Sequence, residues 1–543
     1  MTFATARTRK RGLGGFKPLF VLRFLRLFAA ISLPAFGRHF FMAGLRTSVT
    51  RLSLATLSLA KEEASRFSYE RTVLKPRIVH LGLGAFFRAH GASFTDDVLA
   101  NEQSDWGITG VSLQRPDQRD RLAPQDCLYT SVENGRYGPK ARIVGCILKV
   151  LVAPEDPGAV LDRLSDSKTS IVTLTITEKG YHHDPASGHL NPEHAEIRHD
   201  LDHPDTPVSA VGLITAALAR RMAAGLPPFT VATCDNLPGN GALLAGLVRE
   251  FALLRDEKLA AWIERTVPFP SSMIDRIVPA QTPADIALVE QLTGLQDAAP
   301  VMHEPFRQWV LEDRFVDGVR PLWERAGAQF VSDVAPFEHA KLRMLNGSHS
   351  ALAYLGYLAG HETIFDAVSD ELFARFIRRF WSDDVIPILA APPGMDLEDY
   401  SHQLLERYGN PAIRHRLWQI AMDGSQKLPQ RLLSTIRDNL QQQRGFKFVA
   451  LALAGWIRYV AGTDETGRPI DVRDPLAAKL QERIASAGSN PVAQVRAIAN
   501  VEAVFGKDLP ANATFMTTVT EAYQALLHQG SRKTIADALS GTA

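Results

Sequence analysis

The stretch Arg77–Gly84 (RIVHLGLG) decides the fold class, because a short apolar run ends there in two closely spaced glycines. A segment compatible with a helix, Ala89–Ala100, comes next, and Trp106–Leu113 (WGITGVSL) is a second apolar run. Apolar runs separated by helical segments indicate parallel strands that are buried on both faces and joined by crossover helices. We therefore predict an α/β domain.

The same pattern continues to about residue 337 and then changes. Further apolar runs are Ala141–Leu151, Ser170–Thr177 and Phe229–Cys234. After Glu338, amphipathic stretches dominate: Leu372–Trp381, Phe448–Val460 and Pro475–Ala485. A chain of 543 residues exceeds one hydrophobic core. We predict a Rossmann-like doubly wound domain over residues 72–337 and a mostly α-helical C-terminal domain over residues 338–543.

The composition is that of a soluble globular enzyme. Sixty basic residues balance 59 acidic ones, which gives a net charge of +1. Nucleic-acid binding usually needs a large basic excess, so this class of partner is not expected. The three cysteines form no CxxC pair, which argues against disulfides and a cysteine zinc site. A reducing, cytoplasmic location is predicted.

Residues 1–71 differ from the rest of the chain. Met1–Phe41 contains eight Lys or Arg residues and no acidic residue. The apolar stretch Leu19–Pro34 is interrupted by Arg23 and Arg26, so it is too short and too charged to span a bilayer. A secretory signal and an amphipathic helix on a membrane surface are two alternatives. We interpret residues 1–71 as a basic, disordered extension.

The glycines that end the first apolar run indicate a dinucleotide site. Gly82 and Gly84 would let the backbone turn tightly and approach a pyrophosphate at the start of the next helix. The third position of a complete GxGxxG motif is Phe87, so a plain strand-to-helix turn is the alternative. Phe86, Phe87 and Arg88 are included as candidate cofactor-binding residues.

The tip of the second strand bears on which cofactor is used. An acidic residue there binds the ribose hydroxyls of NAD, and Asp117 is the candidate. Arg115 lies nearer the strand and would instead suit the 2′-phosphate of NADP. We predict NAD and leave NADP open.

The segment Lys341–Tyr354 (KLRMLNGSHSALAY) carries the candidate catalytic residues. On an ideal helix Lys341, His349 and Asn346 fall at roughly 0°, 80° and 140°, on one broad face. A lysine base beside an amide and an imidazole could assist the oxidation of an alcohol by a nicotinamide cofactor without a metal, because the base removes the hydroxyl proton and the other two groups stabilise the alkoxide. Burial or a nearby cation such as Arg343 would have to lower the lysine pKa from about 10.4. An exposed lysine next to an Asn-Gly-Ser interruption of the helix is the alternative.

Polar clusters also follow three later apolar runs. They are Thr177–Tyr181, which contains Glu178, then Cys234–Asn236, and the pair Asp275-Arg276. Loops at the carboxyl ends of parallel strands line ligand sites, although Asp275 and Arg276 could simply pair with each other. His182-His183 lacks a third ligand at a suitable spacing, so no metal is predicted.

Together these motifs resemble the mannitol dehydrogenase family over roughly residues 72–530. The matching segments are IVHLGLGAFFRAH (78–90), TITEKGY (175–181), CDN (234–236), FPSSMIDRIVP (269–279), EPFRQWVLEDRF (304–315) and KLRMLNGSHS (341–350). The resemblance implies NAD(P)-dependent oxidation of a secondary alcohol without a metal. It implies that Lys341 is the general base, with Asn346 and His349 beside it, and that Asn236 and Asp275 shape the environment of the substrate and the base.

Within the family, the segments GAQFVSDVAPFE, AYLGYLAGHETI and WQIAMDGSQKLPQRLL resemble the subgroup of fructuronate reductases, also called mannonate oxidoreductases. The expected reaction interconverts D-mannonate and D-fructuronate. Mannitol dehydrogenases carry an arginine that contacts substrate where this chain has Gln419. Candidates to hold a substrate carboxylate are Arg343, Lys427 and Arg431.

Two other functions stay open at this stage: a mannitol, arabinitol or related polyol dehydrogenase, and a non-catalytic sugar-acid-binding protein. The expected partner is a small sugar acid or polyol. No nucleic-acid or membrane partner is expected, and we predict a monomer or a weak homo-oligomer.

Overall fold

The computed structural model describes residues 50–184 and 187–541. The strands in this part of the chain are β1 (Ser65–Arg66), β2 (Lys75–Leu81), β3 (Trp106–Ser112), β4 (Tyr129–Gly135), β5 (Gly138–Val144), β6 (Ile147–Val152), β7 (Ile171–Leu174), β8 (Thr230–Thr233), β9 (Ser272–Asp275), β10 (Val301–His303), β11 (Gln308–Glu312) and β12 (Gln329–Val331).

The first half of the described chain is built on a five-stranded parallel sheet with the order β6-β3-β2-β7-β8. The predicted apolar runs provide its strands, and every residue of β3, β7 and β8 is buried. Parallel strands covered by helices on both faces need such continuous apolar runs. The strand order reverses direction between β2 and β7, which confirms the predicted doubly wound α/β fold.

Helices cover both faces of this sheet. Those in the first half are Ala85–Ala89, Gly91–Asn101, Asp117–Leu122, Pro157–Ser165, Ala195–Asp202, Ala210–Ala223, Asn240–Leu253, Glu257–Thr266 and Pro283–Thr293. The predicted helix Ala89–Ala100 corresponds to the helix Gly91–Asn101, and a break at His90, where φ is −122° and ψ is −88°, separates it from the short helix Ala85–Ala89. The imidazole of His90 forms a 2.9 Å hydrogen bond with the carbonyl of Gln308 at this break.

Two smaller sheets, with the orders β1-β5-β4-β10 and β12-β11-β9, extend the first half. The predicted run Ala141–Leu151 is divided between them and the main sheet. Its first part is β5, which pairs antiparallel with β4, and its second part is β6, which pairs parallel with β3. Apolar character alone could not locate this division, because Gly145 and Cys146, which lie between the two strands, do not interrupt the apolar run.

The prediction of a disordered extension is wrong for residues 50–71. Leu52 is buried in a cluster with Leu128, Ile143 and Leu295, and β1 pairs with β5. These partners lie far away in sequence, so local patterning gave no sign of them. Residues 1–49, including the stretch considered as a signal or a membrane-surface helix, lie outside the described residues. Within the described residues, no helix has the length and apolar character needed to cross a membrane.

The second half is helical, as predicted. Its α-helices are Ala335–Ala340, Gly347–Leu358, Ile364–Ser369, Glu371–Arg379, Leu397–Tyr408, Leu417–Ala421, Gly424–Leu428, Ser434–Gln441, Lys447–Val460, Ala477–Ser486, Pro491–Ala499, Glu502–Phe505, Asp508–Ala511 and Ala513–Ser540. Three π-helical segments are also present: Lys341–Asn346, Phe380–Val385 and Pro429–Leu433. The helix Lys447–Val460 is apolar on nearly all sides and lies at the centre of this half.

Candidate active site

A large cleft of about 1190 Å³ lies where the main sheet meets the helical half. The segments that follow β2, β7 and β8 line one side of it, as expected for a ligand site at the carboxyl ends of parallel strands. The helical half lines the other side. All five residues predicted to be catalytic line this cleft: Asn236, Asp275, Lys341, Asn346 and His349.

The glycines after β2 line the cleft and leave room for a ligand. Gly82 has a φ of +90°, and a Cβ atom at this position would come within 2.2 Å of the carbonyl oxygen of Thr175. A Cβ on Gly84 would meet only the carbonyl oxygen of Gly82, at 3.8 Å. Phe86 also lines the cleft. This narrow backbone turn, open toward the cleft, fits a dinucleotide approaching the end of β2.

Two other residues assigned to the cofactor point elsewhere, which corrects the prediction for their side chains. Phe87 is buried in the core and stacks on His80, with ring centroids 3.4 Å apart. Arg88 is buried, donates a hydrogen bond to the carbonyl of Ala299 and lies over the ring of Tyr129. Both side chains lie on the core side of the short helix Ala85–Ala89, and neither lines the cleft.

The remaining two cofactor candidates lie on the protein surface. Asp117 is exposed in the first turn of its helix and does not line the cleft. Glu178 is exposed in the turn after β7, where its neighbour Thr177 lines the cleft instead. The structure therefore places neither the Asp117 nor the Glu178 side chain on the cleft wall.

The segment Lys341–Asn346 is a π-helix that continues directly into the helix Gly347–Leu358. The expected interruption at Asn346-Gly347 is therefore absent, and a wider turn takes its place. A π turn joins residues five positions apart, as in the hydrogen bond from the amide of Gly347 to the carbonyl of Leu342. Lys341 and Asn346 are also five apart, so this turn brings both side chains to the cleft.

Lys341 is buried and held in one orientation. It is 8% exposed, and its ammonium donates a 2.6 Å hydrogen bond to the side-chain oxygen of Asn236. Burial lowers the pKa of Lys341 to about 8, the positive charges of Arg431 and Arg407 add to this effect, and Asp275 opposes it. Arg343, the cation proposed from sequence for this effect, forms an ion pair with Asp438.

Asn346 and His349 present free polar atoms beside Lys341. The side-chain nitrogen Nδ2 of Asn346 and the ring nitrogen Nε2 of His349 are buried and have no hydrogen-bond partner within the protein. The His349 ring packs on Tyr408, with centroids 4.6 Å apart. Burial lowers the pKa of His349 well below its ordinary value, so the imidazole is neutral at physiological pH. Buried polar atoms without partners are typical of sites that bind a polar ligand.

Asp275 is held by a buried arginine that the sequence did not single out. The guanidinium of Arg407 pairs with both carboxylate oxygens of Asp275, at 2.7 and 3.0 Å, and with both of Glu304, at 2.8 and 3.0 Å. Arg276 does not pair with Asp275, since its guanidinium donates to the carbonyls of Ala89 and Glu304. The Asp275–Arg407–Glu304 network joins the two halves of the molecule next to Lys341.

Glu338 is a second residue that the sequence analysis missed. It lies one helical turn before Lys341 and shares with Lys341 and Asn236 the lining of a small cavity beside the main cleft. One carboxylate oxygen accepts a 3.1 Å hydrogen bond from the amide of Gly239, and the other has no partner. Burial raises the pKa of Glu338 to about 7. The signal available in the sequence was its spacing of three residues from Lys341.

This arrangement suits the oxidation of an alcohol. A lysine with a pKa near 8 can gain or lose a proton at physiological pH, and two neutral hydrogen-bonding groups lie beside it on the cleft. Among the described residues, no group of three His, Cys, Asp or Glu side chains is arranged to hold a metal ion.

Family models match most of the chain. Residues 76–325 match the mannitol dehydrogenase Rossmann domain, and residues 333–527 match the mannitol dehydrogenase C-terminal domain.

Individual relatives agree with the family models. The uncharacterized oxidoreductase YdfI of Escherichia coli is 48% identical, over 88% of this chain and 98% of the relative. The D-mannonate oxidoreductase of Escherichia coli is 46% identical, over 87% of this chain and 97% of the relative. The structure of Pseudomonas fluorescens mannitol 2-dehydrogenase with NAD and D-mannitol is 38% identical, with a TM-score of 0.82, over 90% of this chain and all of that one. The chain belongs to the mannitol dehydrogenase family of oxidoreductases.

Proposed function

We propose that the protein is an NAD-dependent oxidoreductase that interconverts D-mannonate and D-fructuronate, with Lys341 as the general base and no metal. One observation carries the catalytic part of this proposal. The ammonium of Lys341 is buried at the cleft, is held 2.6 Å from the Asn236 side-chain oxygen and has a pKa of about 8. A lysine in this state can accept a proton from a substrate hydroxyl group near neutral pH.

The side chains around Lys341 define the proton chemistry. In the oxidation direction, neutral Lys341 removes the hydroxyl proton, while Asn346 Nδ2 and the His349 ring donate hydrogen bonds to the oxygen on which negative charge develops. Asn236 accepts a hydrogen bond from Lys341 and holds it in place. When bound, the nicotinamide ring of the cofactor supplies the hydride acceptor. In the reduction direction, the ammonium of Lys341 returns the proton.

The charged neighbours of Lys341 support this role. Arg407 holds the Asp275 carboxylate in a fixed position beside the lysine, so the field on the ammonium is constant. Glu338 carries an unpartnered carboxylate oxygen and a pKa of about 7, close to that of Lys341. A proton released by Lys341 can therefore pass to Glu338 across the small cavity that both residues line.

The cofactor assignment rests on the glycine turn and on a relative. Gly82 and Gly84 leave the backbone at the end of β2 open to a pyrophosphate. The mannitol 2-dehydrogenase of similar fold has been solved with NAD. Use of NADP is the alternative, since Asp117 and Arg115 are both exposed near the end of β3.

The substrate assignment rests on similarity to the Escherichia coli D-mannonate oxidoreductase and on the uncharged Gln419 on the cleft wall. The alternative is a mannitol or arabinitol dehydrogenase, which the 38% identity to mannitol 2-dehydrogenase supports. A non-catalytic sugar-acid-binding protein would not need a buried lysine beside two free hydrogen-bonding groups, so the intact set around Lys341 argues against it.

The test is an NADH-oxidation assay of the purified full chain with D-fructuronate and D-fructose, repeated with NADPH. We expect rapid turnover of D-fructuronate with NADH and slow turnover of D-fructose. Preference for D-fructose would overturn the sugar-acid assignment and place the protein among the polyol dehydrogenases. Preference for NADPH would overturn the cofactor assignment alone.

A further inference from the structure

Four cationic side chains line the main cleft: Arg276, Lys341, Arg414 and Arg416. The first two are already engaged, since Arg276 donates to backbone carbonyls and Lys341 donates to Asn236. Among the residues that the structure describes, the guanidinium groups of Arg414 and Arg416 have neither a hydrogen bond nor an acidic partner within 4 Å. These two arginines are therefore the cations available to an anionic ligand in the cleft.

The cations proposed from the sequence for a substrate carboxylate are not placed on the cleft wall. Arg343 is paired with Asp438. The ammonium of Lys427 donates a 2.6 Å hydrogen bond to the carbonyl of Met422. Arg431 donates to the hydroxyl of Ser350 at 3.3 Å; its buried Nε atom has no hydrogen-bond partner, but the side chain does not line the cleft. Arg414 and Arg416 are therefore the cations placed to bind a carboxylate in the cleft.

The backbone around Arg416 is fixed next to the catalytic residues. Arg416 pairs with Thr363 in an isolated bridge, which is held by hydrogen bonds from the amide of Ile364 to the carbonyl of His415 (3.0 Å) and from the amide of Leu417 to that of Glu362 (2.9 Å). The ring of His415 contacts the ring of His349 edge-on, with centroids 5.5 Å apart. Arg416 therefore directly follows the residue whose ring contacts His349.

Arg416 has an extended backbone and directly precedes the helix Leu417–Ala421, which contains Gln419. The two residues are three positions apart, and both line the cleft. Gln419 is at the position where mannitol dehydrogenases carry an arginine. Arg416 therefore places a positive charge on the cleft wall three residues before Gln419, and Gln419 itself adds no charge.

We propose that Arg416 binds the carboxylate of the sugar-acid substrate; this assignment rests on the proposed function. The carboxylate of D-mannonate is at the end of the carbon chain away from the oxidised hydroxyl, so it needs a cation separate from Lys341. A guanidinium binds a carboxylate with two parallel hydrogen bonds, which also orients the substrate. Glu362 lines the same wall but forms no ion pair with Arg414 or Arg416 among the described residues, so both guanidiniums stay free for substrate.

Arg416→Gln is the central variant, and KM is measured for D-fructuronate and for D-fructose. We expect the KM for D-fructuronate to rise about 10- to 100-fold, with kcat within about threefold of the wild type, because a charge-assisted bond to the substrate is lost. The kcat/KM for D-fructose should change less than about threefold, since fructose has no carboxylate. Arg416→Lys should recover part of the KM effect, because it restores the charge without the planar pair of donors.

Two further variants separate this role from general damage to the cleft. Arg414→Gln removes the same charge two residues away, and we expect a smaller rise in KM than for Arg416→Gln. Arg375→Gln removes an exposed arginine from the helix Glu371–Arg379, away from the cleft wall, and should match the wild type. A larger effect at Arg414, or equal losses for D-fructuronate and D-fructose in Arg416→Gln, would overturn the assignment.

A binding measurement keeps this inference separate from the proposed reaction. D-mannonate and D-mannitol are titrated by calorimetry into the Lys341→Ala variant with NAD present, with and without Arg416→Gln. We expect Arg416→Gln to weaken D-mannonate binding about 10-fold or more and to leave D-mannitol binding unchanged. If the wild type fails to reduce D-fructuronate but this pattern holds, the proposed function fails and the carboxylate site stands. If Arg416→Gln alters neither titration, the carboxylate site is overturned whatever the wild type reduces.

Discussion

The ammonium of Lys341 donates a 2.6 Å hydrogen bond to the side-chain oxygen of Asn236, although 105 positions separate the two residues in the chain. Asn236 follows β8 of the parallel sheet, and Lys341 begins the π-helical segment of the helical half. The bond therefore crosses between the two halves of the protein. It fixes a buried cation at the cleft, where a bound alcohol would meet it.

Replacing Lys341 tests the proposed base directly. We expect Lys341→Ala to lower kcat by about 10²- to 10⁴-fold, the range for loss of a general base. NADH binding, followed by fluorescence titration, should stay close to that of the wild type, because the glycine turn after β2 is unchanged. Lys479→Ala, at an exposed lysine of the helix Ala477–Ser486, is the matched control and should keep full activity. Parallel loss of turnover and NADH binding would contradict the role of Lys341.

The pH dependence follows from the lowered pKa of Lys341. The base is neutral above its pKa, so kcat/KM for alcohol oxidation should rise with pH and level off above about 8. Ketone reduction needs the ammonium, so its kcat/KM should fall as pH rises through the same range. Initial rates in both directions across the pH range measure this. Two profiles with the same direction of change would contradict a lysine that acts as base one way and as acid the other.

Arg431 offers a test of what sets that pKa. Its positive charge disfavours the protonated form of Lys341, so Arg431→Gln should move the midpoint of the oxidation profile to higher pH. Arg343→Gln is the control: Arg343 is paired with Asp438, and its removal should leave the midpoint in place. A shift of the midpoint in the Arg343 variant but not in the Arg431 variant would show that Arg343, and not Arg431, lowers the pKa of Lys341.

The Asp275–Arg407–Glu304 network should contribute strongly to stability. Arg407→Met would leave two buried carboxylates facing each other without a counter-charge, since Asp275 is 4% exposed and Glu304 is 2% exposed. Breaking a buried ion pair in this way costs about 3–5 kcal/mol in the free energy of unfolding. Urea denaturation followed by circular dichroism measures the loss, and Arg407→Lys should recover part of it. A change below about 1 kcal/mol would show that the carboxylates find other partners.

Gly82 should tolerate no side chain. In Gly82→Ala the new Cβ would lie 2.2 Å from the carbonyl oxygen of Thr175, and the residue would also keep an unfavourable φ of +90°. We expect weaker NADH binding and a loss of stability above the roughly 1–2 kcal/mol that left-handed geometry costs alone. Gly225→Ala is the control, because Gly225 has a φ of +66° but open space around its Cβ position. Equal effects in the two variants would remove the steric argument.

Several parts of the site were predictable because their signals are local. Strands β2, β3, β7 and β8 lie in short, largely apolar runs, and polar residues follow them. A parallel sheet brings such loops together at one edge, so the position of Gly82 and Asn236 on one cleft follows from topology. The lysine, asparagine and histidine of the helical half share one motif, and their spacing indicated a common face.

Other parts depend on contacts between distant segments. Arg407 belongs to the helix Leu397–Tyr408, and nothing in its own neighbourhood points to Asp275, 132 positions earlier. Phe87 and Arg88 follow the glycine motif directly, yet the direction of the short helix turns them into the core. Side-chain direction depends on the packing of the whole domain, which a local motif does not contain.

By itself, the sequence determined the α/β and helical halves, the family and the identity of the lysine at the cleft. Apolar periodicity and closely spaced motifs carry that information along the chain, because strands, helices and turns form from neighbouring residues. Only the tertiary structure decided the electrostatics of the site: the burial that lowers the pKa of Lys341, the arginine that holds Asp275, and the free guanidinium of Arg416 on the cleft wall. Burial and charge act through space and fall off with distance, so they depend on which segments meet in the folded protein and not on their order in the chain.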